Sequence, residues 1–212
     1  MNTEWSKAFQ PLIAEYGKKK HPLDYQNRFQ LLVLVVLSAQ TTDDRINELA
    51  PGLFAAFPDM KSLSGATPED LQPYIRSVRN WNNKANWLIK MAQAVGGDEK
   101  IPHTMEELIQ LPGLGRKSAN VIIRESGGKA EGVIVDLHVL RVAPRLGIAD
   151  EKDADKPEKI EKQIMAVLPQ ELWNDAGMSL SFLGRELCRP TNPKCGACLM
   201  SSVCQFYNSQ RN

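Results

Sequence analysis

Apolar residues recur at helical spacing along almost the whole chain. Residues 87–95 and 160–168 each place large apolar side chains three or four positions apart, as one buried face of a helix requires. The segment Val133–Val135 is the nearest candidate for a strand, and it is short. The pattern therefore predicts an all-α fold built from many short helices.

Helix start signals precede several of these stretches. Thr67–Asp70 combines a capping residue, a first-turn proline and first-turn acids. Thr104–Glu107 and Asp155–Glu158 have the spacing of a capping box or a close variant of it. We expect a helix to begin at each of these three points.

The most apolar run, Leu31–Leu37, is far too short to span a bilayer and predicts a buried helix. The segment Met1–Lys20 alternates polar and apolar residues and has no apolar core of signal-peptide length. We therefore expect no membrane association and a cytoplasmic location. In that reducing compartment cysteines are ligands or reactive thiols more often than disulfides.

Composition is that of an ordinary globular protein, with 42% hydrophobic and 24% charged residues in a chain of 212. This length fits one large or two small domains. The 26 basic and 25 acidic residues leave a net charge of +1, which argues against a strong global field. Any contact with a polyanion must come from basic groups gathered locally.

The segment Leu111–Asn120 has two glycines, Gly113 and Gly115, separated by one residue. Such spacing allows a tight turn whose backbone N–H groups point outward. A helix then begins at about Arg116, so its free N–H groups and positive dipole end favour a bound phosphate. The alternative is a plain connection between two helices, which a bare pair of glycines would favour.

Arg116 and Lys117 are cations in a first helical turn, where they oppose the dipole unless a polyanion binds. Partial burial beside a positive helix end would favour the neutral form of the Lys117 amine, and a neutral amine is a nucleophile. The alternative is a solvated lysine that only touches phosphate.

Asp136 follows the apolar run 132–135 and precedes another apolar stretch. It is expected to cap a helix that starts at Leu137. A capping carboxylate stays ionised and is held rigidly, so it can also stabilise positive charge on a sugar ring or accept a proton from an attacking amine. His138 is interpreted as a hydrogen-bonded or backbone-contacting residue rather than a catalytic base.

All cysteines of the chain lie near its end with the spacing C-x6-C-x2-C-x5-C: Cys188, Cys195, Cys198 and Cys204. Four thiolates in a short irregular segment are expected to hold zinc or a four-iron cluster. Structural zinc more often uses two C-x2-C pairs, and here there is one. Arg189 and Lys194, with two nearby prolines, form a rigid basic loop beside the cysteines.

These features together resemble the endonuclease III family of helix-hairpin-helix DNA glycosylases. The similarity runs nearly end to end and includes Leu-Ser-Ala-Gln-Thr-Thr-Asp at 37–43, the string 111–120, Val-Asp-x-His at 135–138 and the cysteine spacing. It implies an all-α fold in two lobes with a catalytic cleft between them. A six-helix lobe would cover 23–132, with the helix-hairpin-helix at about 104–126, and a cluster lobe would combine 1–22 with 133–212.

The resemblance also implies a reaction on damaged double-stranded DNA. The damaged nucleotide is flipped out, Lys117 displaces the base and forms a Schiff base with the opened sugar, and β-elimination nicks the strand. Asp136 assists, and the four cysteines hold a structural [4Fe-4S] cluster. Gln40 matches the position that fills the gap left in the duplex. The other expected DNA contacts are Asn80, Gly113, Gly115, Arg116, His138, Arg189 and Lys194.

Two departures from the family concern the choice of substrate. Members that repair oxidised pyrimidines typically carry threonine where this chain has Leu137, and the wedge position, usually leucine, corresponds to Asn80. An amide cannot wedge apolarly between bases, but it can hydrogen-bond to the orphaned partner base.

The leading hypothesis is a monomeric, nucleoid-associated glycosylase and abasic-site lyase for oxidised pyrimidines. A rival keeps the scaffold but acts on uracil or a mismatched base. Rivals from another class are a non-catalytic, cluster-bearing DNA-binding module and a zinc-containing DNA-binding protein. Neither of these needs both Lys117 and Asp136.

Overall fold

The computed structural model describes residues 3–211, and its regular secondary structure is helical throughout those residues. This confirms the all-α prediction. Val133–Val135 is a buried, non-helical segment and forms no strand. The α-helices are α1 Trp5–Ala8, α2 Gln10–Tyr16, α3 Arg28–Ser38, α4 Asp43–Ala56, α5 Met60–Ser64, α6 Pro68–Ile75, α7 Trp81–Val95, α8 Met105–Leu108, α9 Arg116–Glu125, α10 Leu137–Leu146, α11 Pro157–Val167, α12 Trp173–Glu186 and α13 Gln205–Ser209. Short 3-10 turns lie at Asp98–Lys100, Glu151–Asp153, Gln170–Leu172 and Cys195–Ala197.

Two of the three expected helix starts are confirmed. Thr67 and Asp70 form a reciprocal capping box at the start of α6, and the Thr104 hydroxyl accepts the backbone N–H of Glu107 at the start of α8. The prediction for Asp155 is wrong, because α11 begins at Pro157 and Lys156 is its N-cap. Proline favours the first helical position, which moves the cap one residue past Asp155.

The chain divides into two compact units. One contains His21–Gly128, and the other combines the chain up to Lys20 with the chain from Lys129 onward. The lobe boundaries expected from the sequence, 23–132 and 1–22 with 133–212, stay predictions. None of the helices in residues 3–211 has the length and apolar character of a membrane-spanning segment.

In the unit of residues 21–128, helix α3 is the most buried element. All its residues from Leu31 to Leu37 are buried, which confirms the buried helix expected there. It packs against α4, α7 and α9, and α7 also packs against α5 and α6. Burying apolar surface on this scale is the main driving force for the unit. It also fixes the ends of α3, α7 and α9 relative to one another.

In the other unit, α12 packs against α10 and α2. Two glycines of α12 allow this close contact. An added Cβ at Gly177 would lie 2.6 Å from the carbonyl oxygen of Ile134, and one at Gly184 would lie 2.7 Å from the Cβ of His138. These glycines therefore bring the segment around Asp136 directly onto α12.

Candidate active site and cysteine pocket

The turn between α8 and α9 is a hairpin anchored by two buried leucines. The N–H of Leu111 donates to the carbonyl of Leu108 at 3.1 Å, and the N–H of Leu114 donates to that of Leu111 at 3.2 Å. Gly113 has φ +83°, and an added Cβ there would lie 3.1 Å from both Trp87 and Val36. The turn therefore requires glycine at 113, for its conformation and for its contacts.

Gly115 has a different role. Its φ of −106° suits any residue, it is the N-cap of α9, and the space beside it is open. Within residues 3–211, the backbone N–H groups of Gly113 and Gly115 have no acceptor. Both glycines are exposed. The hairpin thus presents backbone donors and a helix N-terminus on one accessible surface, an arrangement that can hold a phosphate.

Arg116 and Lys117 are the first two residues of α9, and both are exposed. The helix starts as predicted, but the partial burial expected for Lys117 is wrong. The buried residues of α9 begin only at Ala119, two positions after Lys117. The amine is therefore accessible to a large substrate.

Asp136 is the N-cap of α10, which confirms the prediction. Its Oδ1 accepts the N–H groups of His138 and Val139, each at 2.9 Å. Its Oδ2 accepts the hydroxyl of Ser181 at 2.6 Å. Ser181 lies on α12 and is only 1% exposed. No local sequence signal points to it, since it is 45 positions away. The carboxylate is therefore held at both oxygens.

His138 contacts Arg141, whose guanidinium lies 3.2 Å from its Nδ1. The same guanidinium donates to the carbonyls of Gly184 at 2.9 Å and Cys188 at 3.0 Å. Arg141 joins the first turn of α10 to the end of α12, and the sequence did not single it out. Leu137, beside Asp136, is 79% exposed.

All four cysteines line one pocket that is partly open to solvent. Cys204 is buried and the others are partly buried. Most of the remaining lining is apolar: Leu146, Leu183, Leu187, Pro193, Phe206 and Tyr207 are among its residues. In residues 3–211 no three His, Cys, Asp or Glu side chains are arranged to hold a metal ion. The thiols share a pocket without three of them meeting around a single ion.

Burial raises the pKa of the Cys198 and Cys204 thiols, and the neighbouring cysteines raise it further. Thiolates there would need positive charge from a bound group. Arg145 contacts two of the cysteines. Its guanidinium lies 3.6 Å from the Cys188 sulfur, and its backbone carbonyl accepts a hydrogen bond from the Cys204 thiol at 3.3 Å. The pocket has the donor set for a metal–sulfur group.

The basic loop beside the pocket is held through its backbone. Arg145 donates to the carbonyls of Arg189 at 2.8 Å and Pro190 at 3.2 Å, and the N–H of Lys194 donates to Leu187 at 3.0 Å. The side chains of Arg189 and Lys194 are exposed. A fixed backbone thus presents two cations to the surroundings.

Gln40 and Asn80 are exposed, and both have left-handed backbones, with φ 60° and 58°. Such conformations are uncommon for residues other than glycine and collect at functional sites. Gln40 lies just after α3, and Asn80 is the N-cap of α7. The amide of Asn83 donates to the Asn80 side chain at 2.9 Å.

Lys84, one turn into α7, is 2% exposed. Its Nζ donates to the carbonyls of Leu37 at 2.8 Å and Ala39 at 2.5 Å. Burial lowers its pKa to about 8. The sequence reasoning gave this residue no role, because one lysine in a polar stretch carries no sign of burial.

Comparison with known proteins adds an independent finding. A family model described as "HhH-GPD superfamily base excision DNA repair protein" matches residues 33–170. An endonuclease III of Synechocystis sp. is 37% identical over 194 residues, covering 88% of this chain and 87% of that protein. An endonuclease III of Escherichia coli is 30% identical over 191 residues, covering 88% and 89%.

Solved structures agree with these relatives. A trapped endonuclease III–DNA covalent intermediate, in an estranged-adenine complex, matches with a TM-score of 0.87 at 30% identity and covers 100% of both chains. A non-covalent endonuclease III–DNA complex matches with the same TM-score and identity, covering 100% of this chain and 99% of that one.

Proposed function

The chain belongs to the HhH-GPD superfamily of base excision DNA repair proteins, and from this premise we propose how its own residues carry out the reaction. It is an enzyme, a DNA glycosylase and abasic-site lyase that binds DNA, with endonuclease III relatives over most of its length. The resemblance and the helix-hairpin-helix fold inferred from the sequence are confirmed. The proposal concerns which residues act, on which base, and with which cofactor.

The observation that carries the proposal is the exposed Lys117 on the hairpin's helix. Gly113 and Gly115 would bind a backbone phosphate through N–H groups that have no acceptor among the described residues, and the positive end of the α9 dipole would favour the same anion. Arg116 would add positive charge. DNA binding would then hold the sugar at a fixed distance from the Lys117 amine, and such positioning supplies a large share of a rate enhancement.

Lys117 acts as the nucleophile in this proposal. Its amine attacks the anomeric carbon of the flipped nucleotide as the bond to the base breaks, and the proton that the amine loses is passed on to the leaving base. The opened sugar forms a Schiff base with Nζ, and loss of a neighbouring proton expels the 3′ phosphate. The trapped covalent intermediate of a related endonuclease III supports covalent chemistry of this kind.

Asp136 would accept the proton that the attacking amine loses and stabilise the cationic sugar. Its two backbone N–H partners and Ser181 fix the carboxylate in one orientation. Such pre-organisation costs no reorientation during the reaction. His138, which lies against Arg141, would then contact the DNA backbone without taking part in proton transfer.

Cys188, Cys195, Cys198 and Cys204 would hold a [4Fe-4S] cluster in their shared pocket. The four thiols supply the donor set for such a cluster, and the apolar lining of the pocket would shield it from solvent. The cluster's part is structural: when bound, it fixes the loop that presents Arg189 and Lys194 to DNA. Purified protein should contain iron and acid-labile sulfide in equal amounts, and zinc in their place would contradict this assignment.

The proposed substrates are oxidised pyrimidines in double-stranded DNA. The protein would act as a monomer in the cytoplasm, bound to the DNA of the nucleoid. A second candidate is uracil or a mismatched base. It is favoured by Leu137, whose exposed apolar side chain lies beside the Asp136 carboxylate. It is also favoured by Asn80, which offers an amide where an apolar wedge is expected.

Borohydride trapping tests the proposal on duplexes that carry an abasic site, thymine glycol, dihydrouracil or uracil. We expect a covalent adduct with the abasic duplex and with the oxidised pyrimidines, and none after Lys117→Ala. Lys61→Ala, an exposed lysine on α5, is the matched control and should behave as wild type. Absence of an adduct from every duplex would overturn the catalytic assignment. Adducts with the abasic and uracil duplexes, but with neither oxidised pyrimidine, would favour the second candidate.

Binding should also weaken steeply as salt rises, because phosphate contacts dominate the affinity in this proposal. Fluorescence anisotropy with an undamaged duplex measures it. Affinity that does not change with salt would contradict the backbone grip by the hairpin and the basic loop.

A further inference from the structure

Lys84 lies between two turns with left-handed backbones, in the unit of residues 21–128. Lys84 lies on α7, one turn after Asn80, and its backbone N–H donates to the Asn80 carbonyl at 3.1 Å. Its side chain crosses to the C-terminal end of α3 and donates to Leu37 and Ala39. Ala39 is the residue immediately before Gln40. Lys84 therefore contacts both turns, the approach to Gln40 through its amine and Asn80 through its backbone N–H.

Both turns need such support. A left-handed residue other than glycine is strained by roughly 1–3 kcal/mol and persists only where its surroundings hold it. Ser38 and Thr41 close the Gln40 turn with one backbone hydrogen bond of 3.1 Å. The Lys84 amine holds the carbonyls of Leu37 and Ala39, just before the Gln40 turn. The backbone N–H of Lys84 holds the carbonyl of Asn80 in the other turn.

We infer that Lys84 is a positioning residue, which holds Gln40 and Asn80 at a set separation so that both enter the gap left by a flipped nucleotide. This inference rests on the proposed function, because it takes Gln40 and Asn80 as DNA contacts. It adds a residue that itself touches no DNA.

The chemistry of the site supports positioning over simple packing. Burying a cation without a counter-ion is costly, and the part of the chain that the structure describes contains no ion pair to Lys84. An apolar side chain such as methionine would fill the same space without that cost. What it lacks is the pair of charge-assisted donors that meet the negative end of α3.

The test compares binding of the full-length protein to two duplexes, one with a tetrahydrofuran abasic analogue and one undamaged but otherwise identical. Fluorescence anisotropy gives both dissociation constants, and their ratio is the selectivity. The variants are Lys84→Met, which keeps the length of the side chain but removes the donors, and Lys84→Arg, which keeps charge and donors. Lys90→Met, an exposed lysine on the same helix, is the matched control.

We expect Lys84→Met to lower the selectivity by about tenfold, the size of one charge-assisted hydrogen bond. Affinity for the undamaged duplex should stay unchanged, because the hairpin is intact. Lys84→Arg should restore most of the selectivity, and Lys90→Met should match wild type. Unchanged selectivity in Lys84→Met, or an equal loss on both duplexes, would overturn the inference.

A second measurement needs no variant. The amine of Lys84 faces only backbone carbonyls, and burial alone lowers its pKa to about 8, with no charged neighbour contributing. Raising the pH from 7 to 9 should therefore weaken the two donor bonds and reduce the wild-type selectivity. A ratio that stays constant over this range would overturn the inference even if Lys84→Met fails to fold.

The wild-type protein separates this inference from the proposed function. If wild type shows no preference for the abasic duplex and forms no borohydride adduct, the proposed function fails. If wild type shows both and Lys84→Met equals it, only the role of Lys84 fails.

Discussion

Two lysines of the same compact unit lie at opposite kinds of helix end: Lys84 at the C-terminal end of α3 and Lys117 at the N-terminal end of α9. Their amines differ in burial, in partners and in the sign of the helix dipole that they face. Lys84 is buried against the carbonyls that end α3, where the helix dipole attracts a cation. Lys117 is exposed in the first turn of α9, where the dipole repels one. The buried amine has partners within the protein, and the exposed one is available for a substrate.

This difference teaches how one residue type serves two purposes. A buried cation at a helix C-terminus meets the last carbonyls of that helix and can fix their position, although its desolvation is costly and lowers its pKa. A cation at a helix N-terminus gains its partner only when an anion such as a DNA phosphate arrives. Variants that remove either amine should therefore give opposite signatures.

The largest effect is expected from Lys117→Ala. Loss of a nucleophile typically costs at least a thousandfold in rate, so strand cleavage at an abasic site should become undetectable. Affinity for undamaged duplex should fall by only a few-fold, since the hairpin N–H groups remain. Single-turnover cleavage and anisotropy measure the two. Rapid cleavage by Lys117→Ala would show that Lys117 is not the nucleophile. Lys84→Met should behave in the opposite way, with reduced selectivity for the abasic duplex but an unchanged cleavage rate at saturating enzyme.

The pH dependence of the free energy of unfolding tests the burial of the Lys84 amine. The folded-state pKa of Lys84 is lowered to about 8, whereas an unfolded lysine titrates near ~10.4. Between these values the unfolded chain binds more protons, so the free energy of unfolding should increase with pH, by up to ~3 kcal/mol in total. Urea unfolding at pH 7 and 10 measures it.

Lys84→Met should abolish this increase, and Lys90→Met should retain it. Cys198 and Cys204 act in the opposite direction over this range, because their raised thiol pKa values keep their protons longer in the folded state. The decisive quantity is therefore the difference between wild type and Lys84→Met, and a difference that does not grow from pH 7 to pH 10 would contradict burial of the Lys84 amine. Above pH 10 the sign reverses, because Tyr16, whose pKa is raised to about 12 by burial and by Glu186, keeps its proton longer in the folded state.

The contrast also shows what the sequence could predict. The hairpin and the start of α9 are contiguous, and local rules for glycine and capping suffice to predict them. The burial of Lys84 depends on carbonyls at Leu37 and Ala39, which are 47 and 45 positions away. Ser181 and Arg141 reach their partners through packing of α10 on α12, which apolar periodicity alone does not specify. Helices and ligand spacing are local properties, whereas the partners of a side chain are not.

The two hairpin glycines should separate stability from binding. Gly113→Ala places a Cβ 3.1 Å from Trp87 and Val36 at φ +83°, so we expect it to lower the free energy of unfolding by ~2 kcal/mol. The Cβ added by Gly115→Ala would lie in open space at an ordinary φ, so the free energy of unfolding should change by less than ~1 kcal/mol. The same Cβ should weaken DNA binding by the hairpin. Equal stability of the two variants would show that the turn tolerates a side chain at 113.

The smallest effect is expected from removing the hydroxyl of Ser181, which bonds to the Asp136 carboxylate. Ser181→Ala removes the donor that lies 2.6 Å from Oδ2 of Asp136, and should cost ~1 kcal/mol of stability. It should also slow base removal several-fold, with unchanged DNA affinity, because Asp136 would keep its two backbone partners but lose its fixed orientation. Ser179→Ala is the matched control, since the Ser179 hydroxyl is equally buried and has no hydrogen-bond partner among the described residues. Removing that hydroxyl should leave the rate unchanged and stability equal or higher. If both variants slow base removal equally, packing of α12 and not the bond to Asp136 would be the feature that matters.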